Sequence, residues 1–263
     1  MTITSLQNEQ VKDLVRLRDR RHRDGTGRFL IEGYREITRA FGAGMPVHTL
    51  YTCADLFLGP NEPELIAGLQ AAGTDVVELA EGPFRKVSYR DRPEGLLAVA
   101  PQPATDLGHL RLGASPLLLV AEAIEKPGNL GTMLRTADAV GADAVLVADP
   151  TTDPFNPNVV RSSTGTLFTV PLAVATGGES VEWLGRLGIS IVATTPAADT
   201  ELWDADLTGP VAVVVGAEQY GLSELWLDAA DIRVRIPMAG AADSLNAAMA
   251  AGLVLYEARR QRR

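Results

Sequence analysis

A chain of 263 residues with 46% hydrophobic content is long enough for two modest domains or one large one, and too apolar to be disordered throughout. Its longest apolar runs, such as "PLLLVAEAI" and "PVAVVVGA", are strand-sized and well short of the roughly 18 residues a membrane helix needs. A net charge of −9 repels nucleic acid on average, but residues 1–40 carry nine Lys/Arg against six Asp/Glu, a local net of +3, which leaves −12 for the remainder.

In chain order, "NEQVKDLVRLRDRR" sets Val11, Leu14, Val15 and Leu17 at helical spacing and predicts one helix over 8–21. Lys12, Arg16, Arg18, Arg20 and Arg21 lie on it, and Arg23 and Arg28 follow. Such a cluster on an acidic protein is an electrostatic footprint for phosphates, with Arg20, Arg21, Arg23 and Arg28 as the candidate contacts. The alternative is a solvated helix face paired internally with Asp13, Asp19 and Asp24.

"RFLIEG" predicts a strand and "YREITRAFGAG" a helix closed by glycine. "VHTLYTC" and "TDVVEL" predict strands on either side of a helix over "PELIAGLQAAG", and "EGLLAVA" a last strand. Residues 1–100 thus read as a small three-layer α/β unit. Arg85, Lys86 and Arg90, just before its final strand, form a second basic group, with Arg90 a further candidate contact and the whole group the place to look for phosphate contacts should the N-terminal arginines make none.

Residues 101–114, rich in Pro, Gly and polar side chains, read as a linker. Within 115–263, "PLLLVAEAI", "AVLVAD", "TLFTVPLAVA", "ISIVATTP", "PVAVVVGAE" and "DIRVRIPM" predict strands buried on both faces, the mark of a parallel sheet. A helix over "DSLNAAMAAGLVLYEARRQ" closes the chain.

Much common chemistry lacks its residues. Cys53 is the single cysteine, and His22, His48 and His109 show no ligand spacing, so no metal site is expected. There is no Gly-x-Ser-x-Gly elbow, no Walker A loop and no Gly-x-Gly-x-x-Gly of an ordinary dinucleotide fold. The N-terminus "MTITSLQNEQ" lacks the basic-then-apolar pattern of a signal peptide, which makes a cytoplasmic protein away from membranes the expectation.

Three segments that follow strands carry the remaining signal, since open α/β sheets bind ligands at the carboxyl ends of their strands. In "EKPGNLGTMLRTADA", Pro127-Gly128 breaks the strand, Asn129 is placed to cap a helix, and Arg135 lies about 9 Å further along its axis. In "VVVGAEQYGLSELW", an apolar strand ends at Gly216, where backbone can approach closely, with Glu218 just outside the sheet. In "VRIPMAGAADSLNAAMAAG", a loop of small residues leads to Ser244-Leu245-Asn246 at a helix start, with Asp243 or Ser244 as the expected cap.

Together these segments resemble the SpoU (TrmH) family of RNA ribose 2′-O-methyltransferases. The family's three motifs stand here as Asn129…Gly131…Arg135, Gly216…Glu218…Gly221-Leu222, and Ile236-Pro237-Met238…Ser244-Leu245-Asn246. "RFLIEGYREI" and "VSYRDRPEGLLAVA" look like parts of its substrate-recognition domain, so the resemblance spans nearly the whole chain. Two departures from the usual pattern stand out: Gln219 where glycine is common, and Ala247-Ala248 after Ser-Leu-Asn.

The resemblance implies a C-terminal α/β domain of the SPOUT superfamily with a parallel sheet and a deep trefoil knot, a feature rare among folds. It implies S-adenosylmethionine bound around Thr195, Gly216, Ile236, Met238 and Leu245, a homodimer with the active site near its interface, and an N-terminal L30e/L7Ae-like module that binds RNA. In the family the arginine matching Arg135 is assigned the catalytic role as a general base. A guanidinium deprotonates only above about pH 12, which favours Arg135 as phosphate anchor and partner of the developing alkoxide. Asn129, Glu218, Ser244 and Asn246 would orient ribose, arginine and cofactor. Ribosomal RNA, 23S rRNA in particular, is the first expectation for the substrate. Transfer RNA, or a non-catalytic RNA-binding factor of the same fold, is the alternative.

Overall fold

The structure, a computed structural model, describes residues 2–263 and divides into two compact units. The first comprises residues 1–103 together with 155–169, the second residues 104–154 with 170–263. A single cut within 101–114 would leave Phe155–Thr169 with the second unit. It belongs to the first because the Phe155 ring packs 5.0 Å from that of Phe29, Asn158 Nδ2 donates to the Tyr89 hydroxyl, and Arg39 donates to the Thr164 carbonyl.

The first unit opens with α1 (Glu9–Arg16) and α2 (Arg20–Thr26), not with one helix over 8–21. The chain tightens after Arg16, and Asp19 accepts from the His22 amide and starts a new helix. Leu17, in the link between the two helices, joins the same core as Val11 and Leu14. Then follow β1 (Arg28–Glu32), α3 (Tyr34–Gly42), β2 (Thr49–Thr52), α4 (Glu62–Ala71), β3 (Asp75–Glu78), α5 (Glu81–Val87) and β4 (Leu96–Pro101). The strands form a mixed sheet ordered β1-β4-β2-β3, with β2 and β3 parallel and the other pairs antiparallel. Helix α5 lies between the expected strands over "TDVVEL" and "EGLLAVA", where no element was expected; Pro83, Phe84 and Val87 give it a buried face.

The second unit begins with β5 (Leu117–Glu122), α6 (Pro127–Val140) and β6 (Ala144–Ala148). The chain enters the first unit for α7 (Pro157–Ser162) and returns as β7 (Leu172–Ala175). The strand expected over "TLFTVPLAVA" is therefore only its last four residues; Thr166–Phe168 make a 3₁₀ turn after Gly165, whose φ is +89°. Next come α8 (Gly177–Arg186), β8 (Ser190–Thr194), the short β9 (Thr200–Glu201), β10 (Val211–Val215), α9 (Glu224–Ala229), β11 (Ile232–Arg235) and α10 (Ala247–Gln261).

All seven strands are parallel, in the order β7-β6-β5-β10-β8-β11-β9. β5, β6 and β10 are buried at every position, which accounts for their unbroken apolar sequences. At about 1.5–3 kcal/mol for each fully buried Leu or Val side chain, this centre makes the platform rigid. Because the strands are parallel, the segments after β5, β8, β10 and β11 all leave from one edge of the sheet. Among the described residues no helix is long and apolar enough to cross a membrane.

Candidate active site

A cavity of about 410 Å³ opens at that edge. Thr194 ends β8 and Thr195 follows it, Gly216 to Leu222 follow β10, Ile236 and Met238 follow β11, Ser244 and Leu245 precede α10, and Ala247 and Ala250 lie in its first turn. Thr195, Gly216, Ile236, Met238 and Leu245 all lie in its wall. Leu222, Leu227 and Ala247 add apolar surface to the same wall. Leu222 ends the second motif and Ala247 directly follows the third, whereas Leu227 sits on α9, which no motif marks.

The wall after β10 is shaped by a tight turn. The Gly221 amide donates to the Ala217 carbonyl at 2.9 Å, with Gly221 at φ +67°. A Cβ on Gly216 would overlap the carbonyl of Gly221 and come within 2.6 Å of the Leu222 nitrogen. Glycine at 216 is thus required by the chain folding back on itself, before any ligand is considered.

Three predicted polar residues meet beside this turn. Asn246, not Asp243 or Ser244, caps α10: its Oδ1 accepts from the Ala248 amide at 3.0 Å and the Met249 amide at 3.4 Å. That leaves its Nδ2 to donate to Asn129 Oδ1 at 3.2 Å. Asn129 in turn uses Nδ2 to donate to Glu218 Oε1. Asn129 is also not the cap expected of it, since α6 starts two residues earlier with Pro127 in its first turn and Lys126 at the cap. Its side chain is consequently free to bridge. The second oxygen of Glu218 is buried and accepts no hydrogen bond within the protein. A buried, unpartnered carboxylate oxygen in a cavity wall calls for a donor from a ligand.

Ser244 lies in the cavity wall and is exposed. Arg135 stands apart: it is exposed on α6 outside the cavity wall, and among the described residues it makes no hydrogen bond or ion pair. Its helix packs closely on α10, where Gly252 leaves only 3.7 Å between an added Cβ and the Thr136 methyl.

In the first unit the five candidate RNA-contacting arginines differ sharply. Arg23 is 1% exposed, and its guanidinium donates to the carbonyls of Leu17 and Arg18, which holds the break between α1 and α2. It is a structural residue, and the expectation of a phosphate contact is corrected. Arg90 is engaged by Glu36 at 3.0 Å, by Glu94, and by the Glu32 carbonyl. Burial pushes the Glu36 carboxyl above its ordinary range, and Arg90 opposes that shift. Arg28 pairs with Asp13 at 3.1 Å, which also holds His22. Arg20 is exposed and only 3.6 Å from Asp24, and Arg21 is exposed with no partner among the described residues. Arg20 and Arg21 are the exposed members of the five, and Arg28 is half-buried beside Asp13.

Residues 116–256 match the SpoU rRNA Methylase family model, and residues 8–98 match an MRM3-like substrate binding domain. Over 94% of its length the chain is 36% identical to a 23S rRNA (uridine(2479)-2′-O)-methyltransferase of Streptomyces viridochromogenes, of which it covers 87%. A solved RNA 2′-O ribose methyltransferase is 46% identical with a TM-score of 0.87, covering all of this chain and 99% of that one. An AdoMet-bound rRNA methyltransferase from Sinorhizobium meliloti superimposes with a TM-score of 0.90 at 34% identity, over 99% of this chain and 97% of that one. With a family match across the whole parallel sheet and relatives aligned end to end, the chain belongs to the SpoU rRNA methylase family.

Proposed function

We propose that this protein transfers the methyl group of S-adenosylmethionine to a ribose 2′-hydroxyl of 23S ribosomal RNA, acting as a cytoplasmic homodimer. The observation that carries this reading is the cavity at the strand ends, whose wall holds all five residues expected around the cofactor and one buried carboxylate oxygen without a partner. The apolar side chains of Leu222, Leu227 and Ile236 suit an adenine ring, and Glu218 Oε2 suits a hydroxyl or amino donor. S-adenosylmethionine supplies a methyl already activated on a sulfonium, so the protein has only to position groups and handle charge.

In this reading Thr195, Gly216, Ile236, Met238 and Leu245 hold the cofactor, and the chain Asn246–Asn129–Glu218 fixes one side of the site. Ser244 faces the acceptor ribose. Arg135, exposed and unpaired, is the phosphate anchor and stabilises negative charge developing on the 2′-oxygen. Arg20 and Arg21 in the first unit, an RNA-recognition module of L30e type, meet phosphates. The match of that unit to a substrate-binding domain supports this role. A second copy of the chain is supported by Met249, Leu253 and Tyr256, which expose an apolar stripe at i, i+4 and i+7 along α10. The trefoil knot belongs to the same reading, supported by the insertion of the late strand β10 between β5 and β8.

The test is methyl transfer to transcribed 23S ribosomal RNA, with 2′-O-methyl sites mapped afterwards. The wild type should introduce a defined site. Arg135→Ala should lose most turnover yet bind S-adenosylmethionine normally, and Arg135→Lys should rescue it poorly because lysine lacks the planar fork. RNA without new 2′-O-methyl groups would remove the proposed activity, and full turnover in Arg135→Ala would remove that residue's role.

A further inference from the structure

Tyr220 is 77% exposed, the most solvent-facing of the large apolar side chains among the described residues, yet it also lines the cavity at the strand ends. Both can hold only if the ring stands at the rim and not at the floor. Its backbone is nevertheless firmly placed. It lies inside the turn closed by the Gly221-to-Ala217 hydrogen bond, and that turn packs so tightly on Gly216 that no Cβ fits there. Two residues before it, Glu218 is tied to Asn129 and through it to the start of α10. The ring is therefore a free aromatic face on a fixed base. Nothing inside the protein explains an exposed tyrosine here: its hydroxyl makes no hydrogen bond and its ring packs on no other aromatic among the described residues.

The cavity interior does not need it. Leu222, Leu227, Ile236, Leu245 and Ala247 already supply a half-buried to buried apolar enclosure for a ring the size of adenine. A nucleotide whose ribose is to be methylated has to leave its stack to enter such a site, and its base then loses apolar contact on both faces. An aromatic ring at the entrance replaces that contact without reading the base edge.

We propose that Tyr220 is the stacking platform for a nucleobase of the RNA substrate at the entrance of the methyl-transfer site, a substrate-binding residue at the rim of the cavity and not part of the cofactor's enclosure. This rests on the methyl-transfer reading above. Stacking of this kind holds the RNA equally in the ground and transition states, so its loss raises KM for RNA and leaves kcat nearly unchanged.

The experiment compares wild type, Tyr220→Ala and Tyr220→Phe on transcribed 23S ribosomal RNA, with S-adenosylmethionine affinity measured separately by calorimetry. Tyr220→Ala should raise KM for RNA about 5- to 150-fold, the range of one aromatic–base stack. Tyr220→Phe, which keeps the ring, should stay within about twofold of wild type on the same argument. S-adenosylmethionine affinity and thermal stability should be unchanged in both. An unaltered KM in Tyr220→Ala overturns the proposal, and so does weakened cofactor affinity, which would set the ring against adenine instead. If the wild type itself transfers no methyl group, the activity has failed and the platform with it; transfer by wild type with equal KM values sinks the platform alone.

Discussion

Asn246 donates a 3.2 Å hydrogen bond to Asn129 across 117 positions of sequence, and this bond fixes the direction of the polar chain beside the cavity. Because Asn246 Oδ1 is taken by the first amides of α10, only its Nδ2 is left to donate. Asn129 must then accept with its oxygen and donate onward to Glu218, an acceptor-only group when ionised. The helix cap and the site carboxylate are ends of one hydrogen-bonded relay.

Asn246→Asp separates these two jobs. Aspartate caps a helix as well as asparagine does, so stability should stay within about 0.5 kcal/mol of wild type. It cannot donate to Asn129, however, and Glu218 loses its orientation. Turnover should drop on the order of tenfold to a hundredfold, the scale of a small misplacement in an active site. Asn246→Ala should lose both, with about 1 kcal/mol of stability from the missing cap. Denaturant midpoints and methyl-transfer rates on the same preparations check this; wild-type turnover in Asn246→Asp would mean that the relay has no functional weight.

The cavity can be tested at two positions that fail differently. Gly216→Ala places a methyl group on the Gly221 carbonyl, so the turn has to open and stability should fall by about 1–3 kcal/mol. Ala250→Phe fills the cavity from α10 without touching the turn. It should weaken S-adenosylmethionine binding at least about tenfold, equivalent to 1.4 kcal/mol, while the thermal midpoint hardly moves. Calorimetric titration of Ala250→Phe at wild-type affinity would place the cofactor elsewhere.

Two neighbouring arginines should behave oppositely. Arg23→Ala strips the Leu17 and Arg18 carbonyls of their donor at the junction of α1 and α2, and should destabilise the first unit by about 1–3 kcal/mol. Arg21→Ala removes an exposed charge, so stability should change by less than about 0.5 kcal/mol. RNA affinity should nevertheless fall, and the slope of log affinity against log salt should flatten by about 0.7–0.9 for each phosphate that is no longer neutralised. Filter binding at two salt concentrations decides; parallel slopes would leave Arg21 a bystander.

Acid sensitivity has a local source at the C-terminus. Hydrogen bonds from Arg260 at 2.7 and 2.9 Å, then from Gln261 at 2.8 Å, hold the Glu257 carboxyl down to about 2 from an ordinary 4.5. A carboxyl depressed on folding stabilises the protein above its unfolded pKa. That contribution is lost as pH falls from about 4.5 through about 2. Glu257→Gln should be less stable at neutral pH and show a shallower loss of stability over this window. Urea midpoints measured from pH 5 to pH 2 test it, and identical pH slopes in both proteins would contradict the assignment.

The class of the sheet was legible along the chain. Unbroken apolar strands require burial on both faces, and that requirement makes a parallel sheet whose loops leave from one edge. The resemblance of the three motifs to the SpoU family implied which residues of those loops come together, and Thr195, Gly216, Ile236, Met238 and Leu245 line one cavity. What the tertiary structure decided is which partner each polar group takes. Asn129 reads as a helix cap in isolation, because capping is a local preference; Pro127 starts the helix earlier and frees the side chain for Glu218, 89 residues away. Arg23 reads as one more surface cation, because periodicity registers charge and not the carbonyls that a chain break exposes. Phe155–Thr169 could not be assigned to the first unit from its own residues, since its place is set by Phe29, Arg39 and Tyr89, more than 60 positions upstream. Local propensity and apolar periodicity are written along the chain, whereas a hydrogen bond between distant residues exists only once the fold has fixed the distance between them.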